Sequence, residues 1–175
     1  MTAYREDDLL QMVRTAFSGV IAQGAANFSD DAAILPPCRG DAQRVVTTDA
    51  VREGMDFDLA IAPVYFAGWR AIQQNLSDLA AMGAMPLGLV WTLGIPPAWL
   101  DDDAALLRQF LDGAADHCRA ESMPLFGGDL EACQGPMGCS ITAFGDVAGD
   151  PLHRSGARPG DAIWLSGPAG ASAAG

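Results

Sequence analysis

Lysine is missing from this 175-residue chain, and its ten basic residues are all arginine. Set against 22 acidic residues, they leave a formal net charge of −12 and a pI of about 4.2. That balance excludes a general nucleic-acid surface, which needs clustered positive charge to meet phosphates. If the chain handles phosphates, cations must bring them in. A Gly-x-x-x-x-Gly-Lys-Ser/Thr cradle is ruled out, since it requires the missing lysine. Gly170-Ala171-Ser172-Ala173-Ala174 is not a Gly-x-Ser-x-Gly elbow, so a serine hydrolase has no support. Cysteine is scarce as well. Cys38, Cys118, Cys133 and Cys139 form no Cys-x-x-Cys pair, and with only His117 and His153 to join them zinc is weakly supported. Buried or incidental thiols in a reducing compartment are the expectation. No apolar run reaches membrane-spanning length, and Tyr4-Arg5-Glu6-Asp7-Asp8 is too charged to open a signal peptide. The expected setting is the cytoplasm, with no nucleic-acid or membrane partner.

What is present is apolar enough for a real core: 50% of residues are hydrophobic and the mean hydropathy is +0.15. Leu9, Met12, Val13 and Ala16 predict an amphipathic helix over about 5–20. Ala32–Leu35 and Arg44–Thr48 read as strands, and 50–63 as irregular chain. The clearest element is a helix over about 65–82, with Phe66, Trp69, Ile72, Leu76 and Leu79 as its apolar stripe and Asn75 and Asp78 on another face. Leu87–Ile95 predicts a long strand. Asp101–Asp103 open a further helix as dipole-complementing caps, and Leu107, Leu111, Ala114, Ala115 and Cys118 form its buried face. Pro124–Phe126, Met137–Val147 and Ala162–Ser166 supply the remaining strands. The order predicts an α+β domain: a mixed sheet with helices on one face. The last strand, with nothing following to pair it, predicts an N-terminal piece of a longer protein. A first domain would span 1–150, and 151–175 would begin a second.

Several acids stand where strand-like runs are expected to stop. Val45-Val46-Thr47-Thr48 ends in Asp49, Pro124-Leu125-Phe126-Gly127-Gly128 ends in Asp129, and Asp30-Asp31 open a third run. Asp78 sits inside the predicted helix, where aspartate has poor propensity. Taken singly, each has a plain reading. Asp49 with its threonines suits a strand-end turn. Gly127-Gly128-Asp129 is as consistent with a turn as with backbone that approaches an anion closely. Asp78 suits an exposed helix face. Together they suggest something else, because isolated carboxylates beside apolar segments are costly unless paired or bound to cations. Converging carboxylates suit hard divalent cations, and magnesium leaves its remaining positions to water and phosphate oxygens.

The ordered set of motifs resembles thiamine-monophosphate kinase, within the AIR-synthase-like group of ATP-using enzymes. The residues that carry the resemblance are Thr47-Thr48-Asp49 with Glu53-Gly54, Gly68-Trp69-Arg70-Ala71, Asn75 to Ala84, Gly127-Gly128-Asp129 and Arg154 to Asp161. It implies an AIR-synthase N-terminal-like domain that forms homodimers, with ATP bound near the interface. It implies several magnesium ions at Asp31, Thr47, Thr48, Asp49, Asp78 and Asp129, and ATP contacts at Gly128, Asp129 and Arg154. The implied reaction moves ATP's γ-phosphate to thiamine monophosphate, giving thiamine diphosphate. Three departures stand out. Asn27-Phe28-Ser29 precede the paired acids where the family has glycines. Leu130-Glu131 follow Gly-Gly-Asp where it has threonine. Asp56 occupies a substrate-contacting position where it has histidine. The alternatives are an ATP-using paralogue acting on another phosphorylated or carboxylate substrate, or a non-catalytic nucleotide-binding or dimerisation module.

Overall fold

The computed structural model describes residues 5–20, 40, 42–153, 156–165 and 167–170. The predicted strand Ala32–Leu35 and the paired acids before it lie outside that range. The elements run in the order α1 (Glu6–Ala16), β1 (Ala42–Arg52), α2 (Val64–Ala81), β2 (Met85–Ile95), a 3-10 turn (Pro97–Leu100), α3 (Asp101–Ala120), β3 (Leu125–Ala132) and β4 (Gly138–Ala148). The four strands form one mixed sheet in the order β1-β4-β2-β3. β4 pairs antiparallel with β1 and β2, and β2 pairs parallel with β3. The expected α+β class with a mixed sheet is what forms.

The sheet alternates as a half-covered sheet must. Along β4, Cys139, Ile141, Ala143 and Val147 are buried, while Ser140, Thr142, Phe144 and Asp146 lie on the other face and are not. Their partners on β2, Leu89, Trp91 and Leu93, join the same core, as does Ile95 beyond the paired stretch. Helix α2 packs on this face, and α3 packs on α2. No described element covers the opposite face, where Val46 is 62% exposed.

The structure redraws the stripe expected on α2. Val64, Ala67, Gly68, Ala71, Ile72, Asn75, Leu76 and Leu79 are buried, Phe66 is exposed, and Trp69 is only half-buried. Small residues decide this. A Cβ on Gly68 would lie 2.0 Å from the Phe110 carbonyl oxygen, and one on Gly113 would lie 1.8 Å from that of Tyr65. The α2–α3 crossing therefore closes on glycine and alanine, and the large aromatics go to its margins. Trp69 stacks on His117 at 4.1 Å, and His117 Nδ1 donates to the Trp69 carbonyl at 2.9 Å.

Two other expectations change. Asp101–Asp103 do not cap α3 in the usual way. Asp102, Asp103 and Ala104 have φ of 49°, 54° and 55°, and no side-chain cap bond forms at Leu100. Right-handed helix begins only beyond them, and Arg108 secures the turn by donating to the Asp103 carbonyl at 2.9 Å. Residues 162–165 form no strand. Ile163, Trp164 and Leu165 are 94%, 88% and 73% exposed, with no strand of this domain beside them.

Candidate functional site

The acids expected at strand ends lie inside strands. β1 continues through Thr47-Thr48-Asp49 to Arg52, because each residue finds a partner on β4: Thr47 faces Ala143, Thr48 faces Thr142 and Asp49 faces Ile141. β3 likewise runs through Gly128 and Asp129, which pair with Trp91 and Thr92. A Cβ on Gly128 would lie 2.3 Å from Trp91 Cδ1, so packing against the indole is reason enough for glycine there.

Strand alternation then sorts the predicted ligands. Val51 is in the core, so Thr47 and Asp49 lie on its side of the sheet, under α2. Thr47 Oγ1 donates to Asp78 Oδ2 at 2.6 Å, which ties β1 to the last turns of α2. Asp49 is half-buried, and its Oδ1 accepts the Ala50 N–H at 2.8 Å. Thr48 points to the uncovered face. It donates to the Ile141 carbonyl at 2.9 Å and receives Thr142 Oγ1 at 3.3 Å. Asp129 shares that uncovered face, since its neighbour Leu130 packs against the core. It is also on the far edge strand, three strand spacings from β1, or about 14 Å.

The chain therefore joins Thr47 to Asp78, sets Asp49 on the same side of β1, and leaves Thr48 and Asp129 on the other. Among the described residues, no three His, Cys, Asp or Glu side chains gather closely enough to hold a metal. Asp31 and Arg154 lie outside the described residues. The donor chemistry still suits magnesium, which is commonly held by one or two carboxylates with water and phosphate oxygens completing its shell. An orphan supports the fit. Asn75 is 1% exposed and its Oδ1 is buried with no hydrogen-bond partner. An unpaired buried acceptor costs about 1–3 kcal/mol, and this one lies three residues from Asp78 on α2. Sequence reading placed Asn75 on a polar outer face. The available signal was its spacing from Ala71, Ile72 and Leu79.

The substrate-side position Asp56 belongs to a locked turn after β1. Its Oδ2 accepts the Arg52 N–H at 2.8 Å, and its carbonyl accepts Arg70 Nη1 at 2.7 Å. Among the described residues, Arg70 has no carboxylate partner. Glu53, which the motif set includes without a role of its own, pins the same turn to the fold. Its Oε2 accepts the Trp99 indole N–H at 2.9 Å and the Met137 N–H at 3.2 Å. On the uncovered face, a hollow of about 150 Å³ lies beside Asp129's strand partner Thr92 and is lined also by Arg52, Glu131, Cys133 and Ser140.

The half-covered mixed sheet and the motifs on it define the class. Residues 29–147 match the AIR synthase related protein N-terminal domain, and the chain belongs to that family. Within it, the chain is similar to thiamine-monophosphate kinases. The enzyme of that name from Synechococcus elongatus is 41% identical over 145 residues, covering 82% of this chain and 42% of its own length. The crystal structure of thiamine-monophosphate kinase from Stenotrophomonas maltophilia K279a matches at TM-score 0.63 and 33% identity, over 88% of this chain and 45% of that one. The structure of AaThiL complexed with AMPPCP and TMP matches at TM-score 0.61 and 25% identity, over 90% of this chain and 48% of that one. The chain spans about half or less of the length of these relatives.

Proposed function

We propose that this chain is the nucleotide- and magnesium-binding part of a kinase that transfers the γ-phosphate of ATP to thiamine monophosphate, giving thiamine diphosphate and ADP. The observation that carries the reading is the likeness to thiamine-monophosphate kinases across most of the chain, on a fold that joins Thr47 to Asp78 with Asp49 on the same side of β1. The complex of AaThiL with AMPPCP and TMP supports a nucleotide and a thiamine phosphate as the two ligands.

The chemistry asks little of side chains as acids or bases. In the transfer, an oxygen of the acceptor phosphate forms a bond to the γ-phosphorus as the bond to ADP's bridging oxygen breaks. The acceptor is already anionic, so no nucleophile has to be deprotonated, and catalysis rests on positioning and charge neutralisation. Magnesium, when bound, supplies positive charge against the phosphate oxygens. Asp49 and Asp78 would hold it on the α2 side of β1, joined by Asp31. The Thr47 hydroxyl orients Asp78 by donating to it. Gly128, Asp129 and Arg154 would meet the nucleotide.

Asp129 is too far from Asp49 for one copy to close a single site. A homodimer through the uncovered face would set the β3 edge of one copy near the β1 edge of the other and bring Asp129 towards Thr48 of the second copy, with Asp49 and Asp78 on the helix-covered side of the sheet. The unburied Val46, Val90 and Phe144 on that face support the reading. A domain beginning near 151, with Ile163-Trp164-Leu165 as an early strand, would complete the substrate side.

The test is product analysis. The full-length protein, incubated with ATP, magnesium and thiamine monophosphate, should form thiamine diphosphate and ADP in equal amounts. ADP formation that depends on a different acceptor would move the assignment to a paralogous activity.

A further inference from the structure

Among the described residues, two polar side chains are fully buried, Asn75 and His117. His117 is accounted for by its stacking on Trp69 and its bond to the Trp69 carbonyl. Asn75 is not. Its Nδ2 donates to the Ala71 carbonyl at 3.1 Å, and that bond fixes which way the amide faces, because a carbonyl oxygen accepts only from a donor. The amide oxygen is therefore the end left buried without a partner. Asn75 lies less than one helical turn before Asp78, buried beside that exposed carboxylate, and α2 packs against β1 and β4. β1 sends the Thr47 hydroxyl to Asp78 and presents Asp49 two residues further on.

We propose that Asn75 Oδ1 belongs to the cation site, where it accepts a hydrogen bond from water bound to a divalent cation held by Asp78 and Asp49. The inference rests on the magnesium reading above and extends it to a residue that the pattern of carboxylates does not pick out. A carboxamide suits the role. It offers an acceptor oxygen without adding a third negative charge beside Asp49 and Asp78. An apolar residue of similar volume would pack as well and leave no orphan, so the amide lowers stability until something meets its oxygen.

The experiment uses the full-length protein as wild type, Asn75→Leu, Asn75→Ala and Asp78→Asn. Magnesium chloride is titrated into each by calorimetry, and thermal unfolding is followed with and without magnesium. Asn75→Leu should melt above wild type without magnesium, because the orphan is gone. Its magnesium affinity should fall about tenfold or more, and the magnesium-dependent rise in Tm should shrink with it. Asn75→Ala leaves room for water and should show the same loss of affinity, which covers the case in which leucine does not fit. Asp78→Asn should lose binding entirely. If either folded Asn75 variant binds magnesium within about twofold of wild type, the inference is wrong and Asn75 is a packing residue. If wild type binds no magnesium, the magnesium reading itself fails and takes this inference with it. That outcome is distinct from binding that ignores Asn75.

Discussion

Replacing Asp56 tests whether its negative charge opposes the acceptor. A carboxylate about 4 Å from a phosphate costs roughly 1 kcal/mol per unit charge in water-like surroundings and about 4 kcal/mol at an effective dielectric near 20. If Asp56 faced the acceptor in that way, neutralising it would lower KM by tenfold or more, equivalent to about 1.4 kcal/mol. The structure turns the carboxylate elsewhere. Asp56 Oδ2 accepts the Arg52 N–H at 2.8 Å, closing a turn in which the Met55 and Asp56 N–H groups also meet the Arg52 carbonyl at 3.1 and 2.9 Å. The positive group beside the turn is the Arg70 guanidinium, held by the Asp56 carbonyl at 2.7 Å. Asp56→Asn keeps an acceptor for Arg52 and removes the charge. The KM for thiamine monophosphate should stay within about threefold, or roughly 0.7 kcal/mol. Asp56→Ala removes the acceptor as well. A charged acceptor on a backbone N–H at a partly exposed site is worth about 1 kcal/mol, so Tm should fall by about 2–4 °C. Steady-state kinetics of the full-length enzyme at saturating ATP and magnesium, with melting curves, give both readouts. A tenfold drop in KM for Asp56→Asn would refute the reasoning and place the carboxylate against the acceptor phosphate.

Nucleotide binding should require magnesium, because a chain of net charge −12 without lysine repels free ATP; equal affinity in excess EDTA by calorimetry would contradict this. Asp78→Asn should abolish turnover with the fold intact, since asparagine can still accept the Thr47 hydroxyl but lacks the charge a cation needs; activity at saturating magnesium would reduce Asp78 to a surface residue. Gly113→Ala should destabilise the protein by about 3 kcal/mol or more in urea unfolding, because its Cβ would meet the Tyr65 carbonyl oxygen at 1.8 Å and force α2 from α3. Burial pushes the Cys118 thiol up to about 12. Its protonated form is favoured by the fold, so the associated stability is present below about pH 9 and is lost as pH rises towards 12. Native protein at pH 8 should accordingly be alkylated at Cys133 and spared at Cys118. Sedimentation of the full-length protein at micromolar concentration should show a dimer.

Periodicity alone determined much of this domain. The β-branched and apolar runs at 45–48, 87–95 and 137–147 became β1, β2 and β4 within a few residues at their ends, because alternation is a local property of strands. The long helix over 64–81 and the acidic character of the surface were legible for the same reason. So was the ordered run of motifs, which points to the family without any geometry. Tertiary structure decided which side of each element faces inward. Phe66 is the larger apolar residue, yet the helix crossing buries Gly68 and Ala71, because only small side chains let two backbones approach so closely. The strands run past Asp49 and Asp129 because β4 and β2 are there to pair with them, and partners distant in sequence leave no local mark. Alternation across the sheet then sends Thr47 and Asp49 to one face and Thr48 and Asp129 to the other, at opposite edges. A single strand carries no information about which edge it will occupy, so the division of the acids into two groups was set by topology alone.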